Sequence, residues 1–398
     1  MPRPISPLRV AAYTATTACG IGCDALRLAL VNRRTGLRRN DFGRDPLPTW
    51  IGRVDGVEDA SLPAAHAEWE CRNNRLAWLG LNADGFLAAA QAARAKHSAA
   101  RIALVLGTST SSIGASEEAY ARLTPEGLYP PELRRPIVHT PHSLGDYVQH
   151  ALGLEGPCMT VATACSSSAK VFAQAERLIR AGLADAAIVG GVDSLCGSVL
   201  FGFHALELIS PEPCRPFDPA RRGINIGEAA GFALLERDDA AGTGPRLLGY
   251  GESSDAHHMS TPHPQGEGAR RALSDALARG ARAAADIDYI NLHGTASLKN
   301  DEVEAAVVAD RFPATTRASS TKGWTGHTLG AAGIVEAVIT LLALEHGFAP
   351  GTLNAQTLDP ACGPQVRLDN EAATIRHALS FSFGFGGNNC VLLFGGAA

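Results

Sequence analysis

The chain reads Thr163-Ala164-Cys165-Ser166-Ser167-Ser168-Ala169 where an apolar run meets a helix-like pattern. The run from Met159 to Ala164 is largely apolar, and the residues after it place apolar side chains at i, i+3, i+4 and i+7, which predicts an amphipathic helix. We therefore expect Cys165 at a helix N-terminus, where free backbone N–H groups and the helix dipole favour a thiolate and lower the thiol pKa. A buried cysteine in a tight strand-to-helix turn is the alternative, and this segment alone leaves both open.

Composition favours a compact α/β enzyme. The 398 residues suffice for two similar units or one large body, and 45% hydrophobic with 19% charged residues and 42 glycines suits close helix–sheet packing. A net charge of −5 argues against nucleic acid as a partner. The nine cysteines are odd in number and include no metal-type CxxC pair, so we expect no disulfide framework, no metal site and a reducing cytoplasm.

No segment predicts secretion or a membrane. Residues 1–8 contain three prolines and no apolar core of a signal peptide. The longest apolar run, from Ala331 to Leu344, is interrupted by Glu336 and is too short to span a bilayer. We expect it to form a buried helix.

Strand-like and helix-like segments alternate along the chain. Strands are predicted at 101–107, 186–191, 230–236, 289–293 and 390–395, and helices at 87–96, 167–181, 268–284, 302–310 and 333–346. The stretch 236–245 is charged, then rich in Gly and Pro, and predicts a hinge between halves spanning residues 1–240 and 241–398. Each half contains strands, a polar strand end and a buried helix, so we expect related halves whose polar ends face each other.

Three further clusters carry side chains suited to chemistry. His293 follows a predicted strand and precedes a glycine, which lets the backbone turn and present the imidazole to a crevice. Lys322 and His327 lie in a glycine-punctuated loop that leads into the Ala331 helix. Phe383 and Phe385 alternate with glycines in a loop that can swing a ring.

The combination of these clusters is more informative than any one of them. A cysteine with one histidine would suit protease-like acyl transfer. Two histidines and a lysine, without an orienting Asp or Asn motif, favour stabilisation of a developing enolate.

At these residues the chain resembles a β-ketoacyl–acyl carrier protein synthase, a condensing enzyme of the thiolase superfamily. The resemblance runs nearly end to end and extends to residues 215–218 (Arg-Pro-Phe-Asp), 227–231 (Gly-Glu-Ala-Ala-Gly) and 253–259 (Ser-Ser-Asp-Ala-His-His-Met). It implies a five-layered αβαβα thiolase fold of two pseudo-symmetric halves, usually a homodimer. It also implies a reaction in two stages: an acyl group moves from a carrier protein to Cys165, and malonyl carrier protein then loses carbon dioxide and attacks the acyl group to give a 3-oxoacyl product.

The resemblance also implies roles for individual residues. The catalytic set would be Cys165 as nucleophile, His293 and His327 as hydrogen-bond donors to the malonyl carbonyl, and Lys322 with Glu304 as its carboxylate partner. Backbone N–H groups of Cys165 and Phe385 would form an oxyanion hole. The substrate channel would use Phe385 and Phe383 as a gate, Phe203 as acyl-pocket wall, and Thr295 and Ser297 as ligands of the pantetheine arm. No cofactor is implied beyond the phosphopantetheine that the carrier protein brings.

Several positions depart from the pattern of fatty-acid enzymes, and they resemble ketosynthases of specialised pathways, especially those building aryl polyenes. Asn300 replaces a common glycine, Trp324 stands where a methionine is common, and three serines follow Cys165. We expect Trp324 and the serines to favour a flat, conjugated acyl chain. Because carrier proteins are acidic, Arg72 and Arg75 are predicted as docking residues.

Several alternatives remain open. The chain could be one subunit of a heterodimer with a chain-length-factor-like homologue, or a housekeeping enzyme of fatty acid elongation. It could be a catalytically silent chain-length partner, although such partners usually lack the active cysteine that Cys165 retains. It could also be a degradative thiolase or an acyl-CoA condensing enzyme with Cys390 as a second catalytic cysteine, although Cys390 follows Asn389 in an apolar, strand-like run and two histidines favour decarboxylation.

Overall fold

The computed structural model describes residues 2–238 and 244–396. The strands are β1 (Leu8–Thr17), β2 (Arg38–Arg39), β3 (Trp50–Gly52), β4 (Ile102–Gly107), β5 (Cys158–Val161), β6 (Ala186–Asp193), β7 (Ile226–Gly227), β8 (Ala229–Arg237), β9 (Arg246–Ser254), β10 (Tyr289–Asn291), β11 (Arg317–Ser319), β12 (Phe348–Ala349), β13 (Glu371–Ala372), β14 (His377–Gly384) and β15 (Asn388–Gly395). The α-helices are α1 (Cys23–Val31), α2 (Arg72–Leu81), α3 (Phe86–His97), α4 (Ile113–Tyr120), α5 (Ser143–Leu152), α6 (Ser167–Arg180), α7 (Gly197–Ala205), α8 (Glu267–Arg279), α9 (Leu298–Arg311), α10 (Lys322–Thr325) and α11 (Ala332–His346).

The strand order reveals two halves with the same topology. Hydrogen bonds link ten strands in the order β11-β10-β14-β15-β9-β1-β8-β6-β4-β5, and only two residue pairs join β1 to β9 at the middle. Five strands lie on either side of that junction and follow the same pattern. In each set, the two strand pairs nearest the junction are antiparallel, and the two pairs farthest from it are parallel. The equivalent strands are β1 and β9, β4 and β10, β5 and β11, β6 and β14, and β8 and β15. The prediction of two related halves is therefore confirmed.

Five layers follow from the helix contacts. Helices α6 and α11 pack against each other and against strands of both halves, and their apolar side chains form one core with the inner strand faces. Helices α2, α3 and α5 cover the outer face of the first half, and α8 covers that of the second with α9 beside it. The central helices approach closely because Gly333 lies against Ala169, where an added methyl group would overlap backbone.

Most predicted elements are present with small shifts at their ends. Helix α8 ends at Arg279 rather than near 284, since Ala281 adopts a left-handed conformation (φ 48°) that interrupts the helix. The proposed boundary between residues 240 and 241 lies outside the described residues and stays a prediction. The apolar segment Leu329–His346 is long enough to cross a membrane by length and composition, but 89% of it is buried in the protein, as expected for the core helix.

Candidate active site

Cys165 lies in a sharp turn between β5 and α6. The turn is closed by Ala164 in a left-handed conformation (φ 52°), and the Cys165 side chain is buried at the start of the helix. The serines after it stabilise this turn: Ser167 Oγ donates to the carbonyl of Ala164 (2.5 Å), and Ser168 Oγ accepts the N–H of Ile334 on α11 (2.9 Å). The serines therefore shape the turn and do not face the acyl pocket, contrary to our expectation.

Burial outweighs the helix N-terminus in setting the state of the thiol. Burial raises the pKa of Cys165 to about 11, while the Lys322 charge and the backbone N–H of Phe385 lower it by less. The prediction of a depressed pKa is therefore wrong for this resting structure. The thiol is neutral at pH 7 and must lose its proton to a neighbouring base before it attacks.

The two predicted histidines meet at the sulfur. His327 Nε2 lies 2.9 Å from Cys165 Sγ, and the rings of His293 and His327 are perpendicular with centroids 5.4 Å apart. The backbone of His293 is held by Glu304, which accepts the N–H groups of His293 and Gly294 at 2.7 Å each. Strand β10 thus delivers His293, and the carboxyl group of Glu304 fixes its position.

Lys322 pairs with Glu336, not with Glu304. The Lys322 ammonium donates to the carboxylate of Glu336 and to the carbonyl of His293, and both side chains of the ion pair are buried. The prediction that Glu304 is the ion-pair partner is wrong, because both carboxyl oxygens of Glu304 accept hydrogen bonds from backbone N–H groups. The sequence did carry a signal for Glu336, since it is the one charged residue within the apolar run from Ala331 to Leu344.

Lys322 also fixes the proton of His293. Burial and the neighbouring ammonium lower the pKa of His293 well below its usual value, so the ring is neutral. Lys322 Nζ lies 3.4 Å from His293 Nδ1 and can only donate, which leaves the ring proton on Nε2. In His327, whose pKa is also lowered by burial, Nδ1 has no hydrogen-bond partner within residues 2–238 and 244–396. The tautomer of His327 is therefore not locked.

The Phe loop closes the site from the other side. Phe385 lies in the turn between β14 and β15, its backbone N–H is directed at Cys165, and its ring packs on Phe203 of α7 (centroids 5.5 Å apart). Gly384 permits the close approach, because a Cβ there would lie 3.2 Å from the Cys165 nitrogen. The Phe383 ring lies beside His293 (6.1 Å).

These groups line one cavity of about 480 Å³. Its lining includes the predicted residues Cys165, Phe203, His293, Thr295, Ser297, His327, Phe383 and Phe385. The hydroxyls of Thr295 and Ser297 are hydrogen-bonded to each other at 2.9 Å. Asn300, which also lines the cavity, donates to Glu304 (3.3 Å) and so supports the carboxylate behind His293.

The predicted docking residues are engaged elsewhere. Arg72 forms a two-point contact with the fully buried Glu228 (2.6 and 3.2 Å) and also pairs with Glu58. Arg75 pairs with Glu70, and neither arginine lines the cavity. Arg72 thus neutralises a buried carboxylate and Arg75 pairs with a partly exposed one, and their role in carrier docking stays a prediction.

Trp324 and Cys390 also lie away from the cavity. The Trp324 ring is fully buried in the core between the halves, and its Nε1–H donates to the carbonyl of Ala29 in α1 (3.0 Å). It cannot select an acyl chain directly, so that expectation is wrong. Cys390 is buried in β15 within the same core, which removes the second cysteine that a thiolase would need.

The sulfur and the two imidazoles form a donor set of the kind that binds transition metals. Their ligand atoms lie within 4.8 Å of one another. The Lys322 ammonium beside His293 opposes a further cation there. That the protein has no metal stays a prediction.

Comparisons with known proteins agree with this geometry. Residues 75–241 match the family model "Beta-ketoacyl synthase, N-terminal domain", and residues 246–356 match "Beta-ketoacyl synthase, C-terminal domain". The chain is 38% identical over 268 residues to the mitochondrial 3-oxoacyl-[acyl-carrier-protein] synthase of Arabidopsis thaliana, covering 62% of this chain and 58% of that relative. It is 34% identical to nodulation protein E of Rhizobium meliloti (strain 1021), covering 74% and 76%. The chain thus spans less than two thirds of the Arabidopsis relative's length.

The fold is shared over nearly the whole chain with a solved structure. The ketosynthase (ApeO) in complex with its chain length factor (ApeC) from Xenorhabdus doucetiae superposes with a TM-score of 0.90 at 35% identity, covering 98% of each chain. The thiolase-fold prediction is thereby confirmed. Family model, relatives and fold agree, and the chain belongs to the β-ketoacyl synthase family.

Proposed function

We propose that this protein is a β-ketoacyl–acyl carrier protein synthase that condenses a Cys165-bound acyl chain with malonyl carrier protein. The single observation that carries the proposal is the contact of Cys165 Sγ with His327 Nε2 at 2.9 Å, beside a His293 whose proton Lys322 directs to Nε2. A nucleophile and two imidazole donors at one point are what the two half-reactions require.

In the first half-reaction, Cys165 attacks the thioester carbonyl of the acyl carrier protein. Its proton passes to His327 Nε2, a carbon–sulfur bond forms, and the carbonyl oxygen becomes an oxyanion. The backbone N–H groups of Cys165 and Phe385 stabilise that oxyanion. The pantetheine sulfur then leaves as a thiol with the transferred proton, and the acyl-enzyme remains.

In the second half-reaction, the malonyl group loses its carboxylate as carbon dioxide. The electron pair of the broken carbon–carbon bond forms an enolate, whose oxygen accepts hydrogen bonds from Nε2–H of His293 and His327. The unlocked tautomer of His327 allows this nitrogen to accept a proton in the first stage and to donate in the second. The enolate carbon attacks the acyl carbonyl, and the released Cys165 sulfur takes up one proton, which balances the lost carboxylate.

The cavity supplies the substrate path. Thr295 and Ser297 present hydroxyls for the pantetheine arm, and Phe203 with Leu208 and Ile224 forms an apolar wall for the acyl chain. The ring of Phe385 packs on Phe203 in this wall, and its movement would admit the malonyl group. The enzyme needs no resident cofactor in this scheme, because the pantetheine arrives with the carrier.

A second subunit is part of the proposal. Strand β5 ends the ten-strand order, and its outer edge pairs with no strand among the described residues. Free strand edges are templates for pairing, and Met159 on β5 is 37% exposed. The partner is a second copy or a chain-length-factor-like homologue, and the complex of the Xenorhabdus ketosynthase with its chain length factor supports the latter. Native mass spectrometry of the chain alone and co-expressed with such a homologue distinguishes the two.

The setting and pathway are also proposals. Nine free cysteines support a reducing compartment such as the cytoplasm. The departure at Asn300, which lines the cavity, supports a specialised pathway such as aryl polyene synthesis. Arg222 and Lys299 line the cavity and are additional candidates for carrier docking, because their side chains are 60% and 69% exposed although each pairs with a nearby glutamate.

The test follows the intact mass of the protein after addition of saturated and conjugated acyl carrier proteins. Malonyl carrier protein is then added and the 3-oxo product measured. We expect acylation and extension in the wild type and neither in Cys165→Ala. Absence of acylation from every donor, alone and with the homologous partner, would refute the proposed function, and the preferred chain identifies the pathway.

A further inference from the structure

Lys170 is a cation placed where a helix disfavours one. It lies in the first turn of α6, five residues after the nucleophile, and helix N-termini stabilise negative rather than positive charge. Its Nζ donates to Asn388 Oδ1 (3.2 Å), and no carboxylate lies within 4.0 Å of it in residues 2–238 and 244–396. The Lys170 ammonium therefore makes a hydrogen bond to an amide rather than an ion pair.

Asn388 also forms a hydrogen bond with the Phe loop. Its Nδ2 donates to the carbonyl of Phe385 (3.2 Å). An ammonium can only donate and a carbonyl can only accept, so both contacts fix the same orientation of the amide. One side chain thus connects the nucleophile helix to the backbone of Phe385.

The loop requires an external restraint. Phe385, Gly386 and Gly387 form the turn between β14 and β15, and the two glycines have φ of 77° and 71°. Glycine adopts many conformations at little cost, so such a turn does not hold one peptide orientation by itself. The glycine peptides are held from outside, since the Gly386 N–H donates to the Met259 carbonyl (2.6 Å) and the Gly387 carbonyl accepts the Asp255 N–H (2.9 Å). The Phe385 carbonyl is held by Asn388. The N–H of Phe385 must point at Cys165, where its hydrogen bond lowers the thiol pKa.

We propose that Lys170 is a positioning residue that, through Asn388, aims the Phe385 N–H at the reacting carbonyl. Because Lys170 and Cys165 lie on the same segment, the link ties the loop to the helix that carries the nucleophile. The inference rests on the proposed function, since the N–H acts as an oxyanion donor only if Cys165 is acylated.

The two half-reactions depend differently on this link. Acyl transfer uses the Phe385 N–H, whereas malonyl decarboxylation uses His293 and His327, which the link does not touch. Malonyl entry needs the Phe385 loop to open, and loss of a restraint on the loop does not hinder opening. Loss of a whole oxyanion donor costs roughly 10²–10³-fold, and a misdirected donor costs a part of that. We expect Lys170→Met to slow acylation by about tenfold and to change unprimed malonyl decarboxylation by less than about twofold.

Three variants and a control make the test specific. Asn388→Asp keeps the contact with Lys170 but cannot donate to Phe385, so it should slow acylation as Lys170→Met does. The double variant should be no slower than either single one, because both break the same link. Lys170→Arg, which can still donate, should recover most of the rate. Lys96→Met removes the same charge from a half-exposed lysine on α3 and should leave acylation unchanged.

Acylation is measured by quenched-flow intact mass, and decarboxylation by carbon dioxide release. Equal losses in both half-reactions, additive effects of the two single variants, or wild-type acylation in Lys170→Met would each overturn the proposal. A failure of the proposed function is distinguishable, because the wild type itself would then form no acyl-enzyme.

Discussion

The replacement Glu336→Gln tests the buried ion pair at the centre of the site. Lys322 and Glu336 are each 2% exposed, so the ammonium cannot turn to water when its partner is neutralised. Removing one member of a buried pair costs about 3–5 kcal/mol, because the other charge stays buried and unpaired. Glutamine retains an oxygen acceptor and the shape of the side chain. We therefore expect the lower end, a loss of about 3 kcal/mol in the free energy of unfolding.

The same change should impair decarboxylation more than acylation. Without the carboxylate, the buried ammonium loses the charged partner that holds its Nζ beside His293 Nδ1. His293 Nδ1 is then no longer forced to accept, and the Nε2–H that holds the enolate oxygen is lost from part of the population. Loss of one such donor costs about 10²-fold in rate, which is the expected fall in malonyl decarboxylation.

Urea unfolding and carbon dioxide release measure the two effects. Glu345→Gln is the matched control, since it makes the same change on the same helix at a residue whose contact, with the Tyr13 hydroxyl, lies at the surface. We expect the control to change stability by less than about 0.5 kcal/mol. If Glu336→Gln behaves like the control in both assays, the account of Lys322 as the residue that sets the His293 proton is refuted.

Three further outcomes are expected. Burial raises the pKa of Glu304 from 4.5 to about 8, so between these pH values the folded chain retains a proton that the unfolded chain releases. The free energy of unfolding should therefore fall as pH rises from 4.5 to about 8. Urea unfolding should show a weaker dependence of this free energy on pH in Glu304→Gln, and an identical dependence would contradict the shift. Arg72→Met leaves the buried Glu228 carboxylate without its charged partner, so the free energy of unfolding should fall by about 3 kcal/mol. The KM for acyl carrier protein should stay constant, and a raised KM without destabilisation would instead support Arg72 as a docking residue. Gly384→Ala places a Cβ 2.9 Å from the Thr163 carbonyl, so the backbone beside the nucleophile must shift. Acylation should slow about tenfold and the melting temperature should fall, whereas wild-type acylation would show that the loop moves freely.

The sequence located the reacting groups because their positions follow from strand ends. Cys165 comes after a largely apolar run and His293 after a predicted strand, and polar groups after parallel strands collect at one edge of a sheet. His327 was identified from the glycine-punctuated loop that leads into the Ala331 helix. The Phe385 loop was found for a similar reason, since glycines around an aromatic residue mark a turn between strands. For these residues, local pattern and global topology point to the same place.

Other features depend on packing that sequence spacing does not give. Glu304 and Glu336 lie 18 and 14 residues from Lys322, and only the fold decides which carboxylate faces the ammonium. Trp324 is two residues from Lys322, and side chains two apart on a helical turn point in different directions, so one enters the core while the other reaches the site. The pKa of Cys165 was misjudged because a helix terminus contributes about 1 kcal/mol, which full burial of a thiolate exceeds.

The duplicated topology explains how one site would serve the two proposed half-reactions. Strands β5 and β11 are equivalent, and each leads into a central helix, with Cys165 before α6 and Lys322 and His327 before α11. Strand β10, which delivers His293, corresponds to β4 in the first half. Since the beginnings of α6 and α11 meet where Gly333 packs on Ala169, both helix dipoles present their positive ends towards the site. A thiolate, an oxyanion and an enolate all carry negative charge, so the positive ends of both helices would stabilise them. The side chains of the two halves have different roles: the first half holds the nucleophile, and the second holds the groups that would bind the enolate.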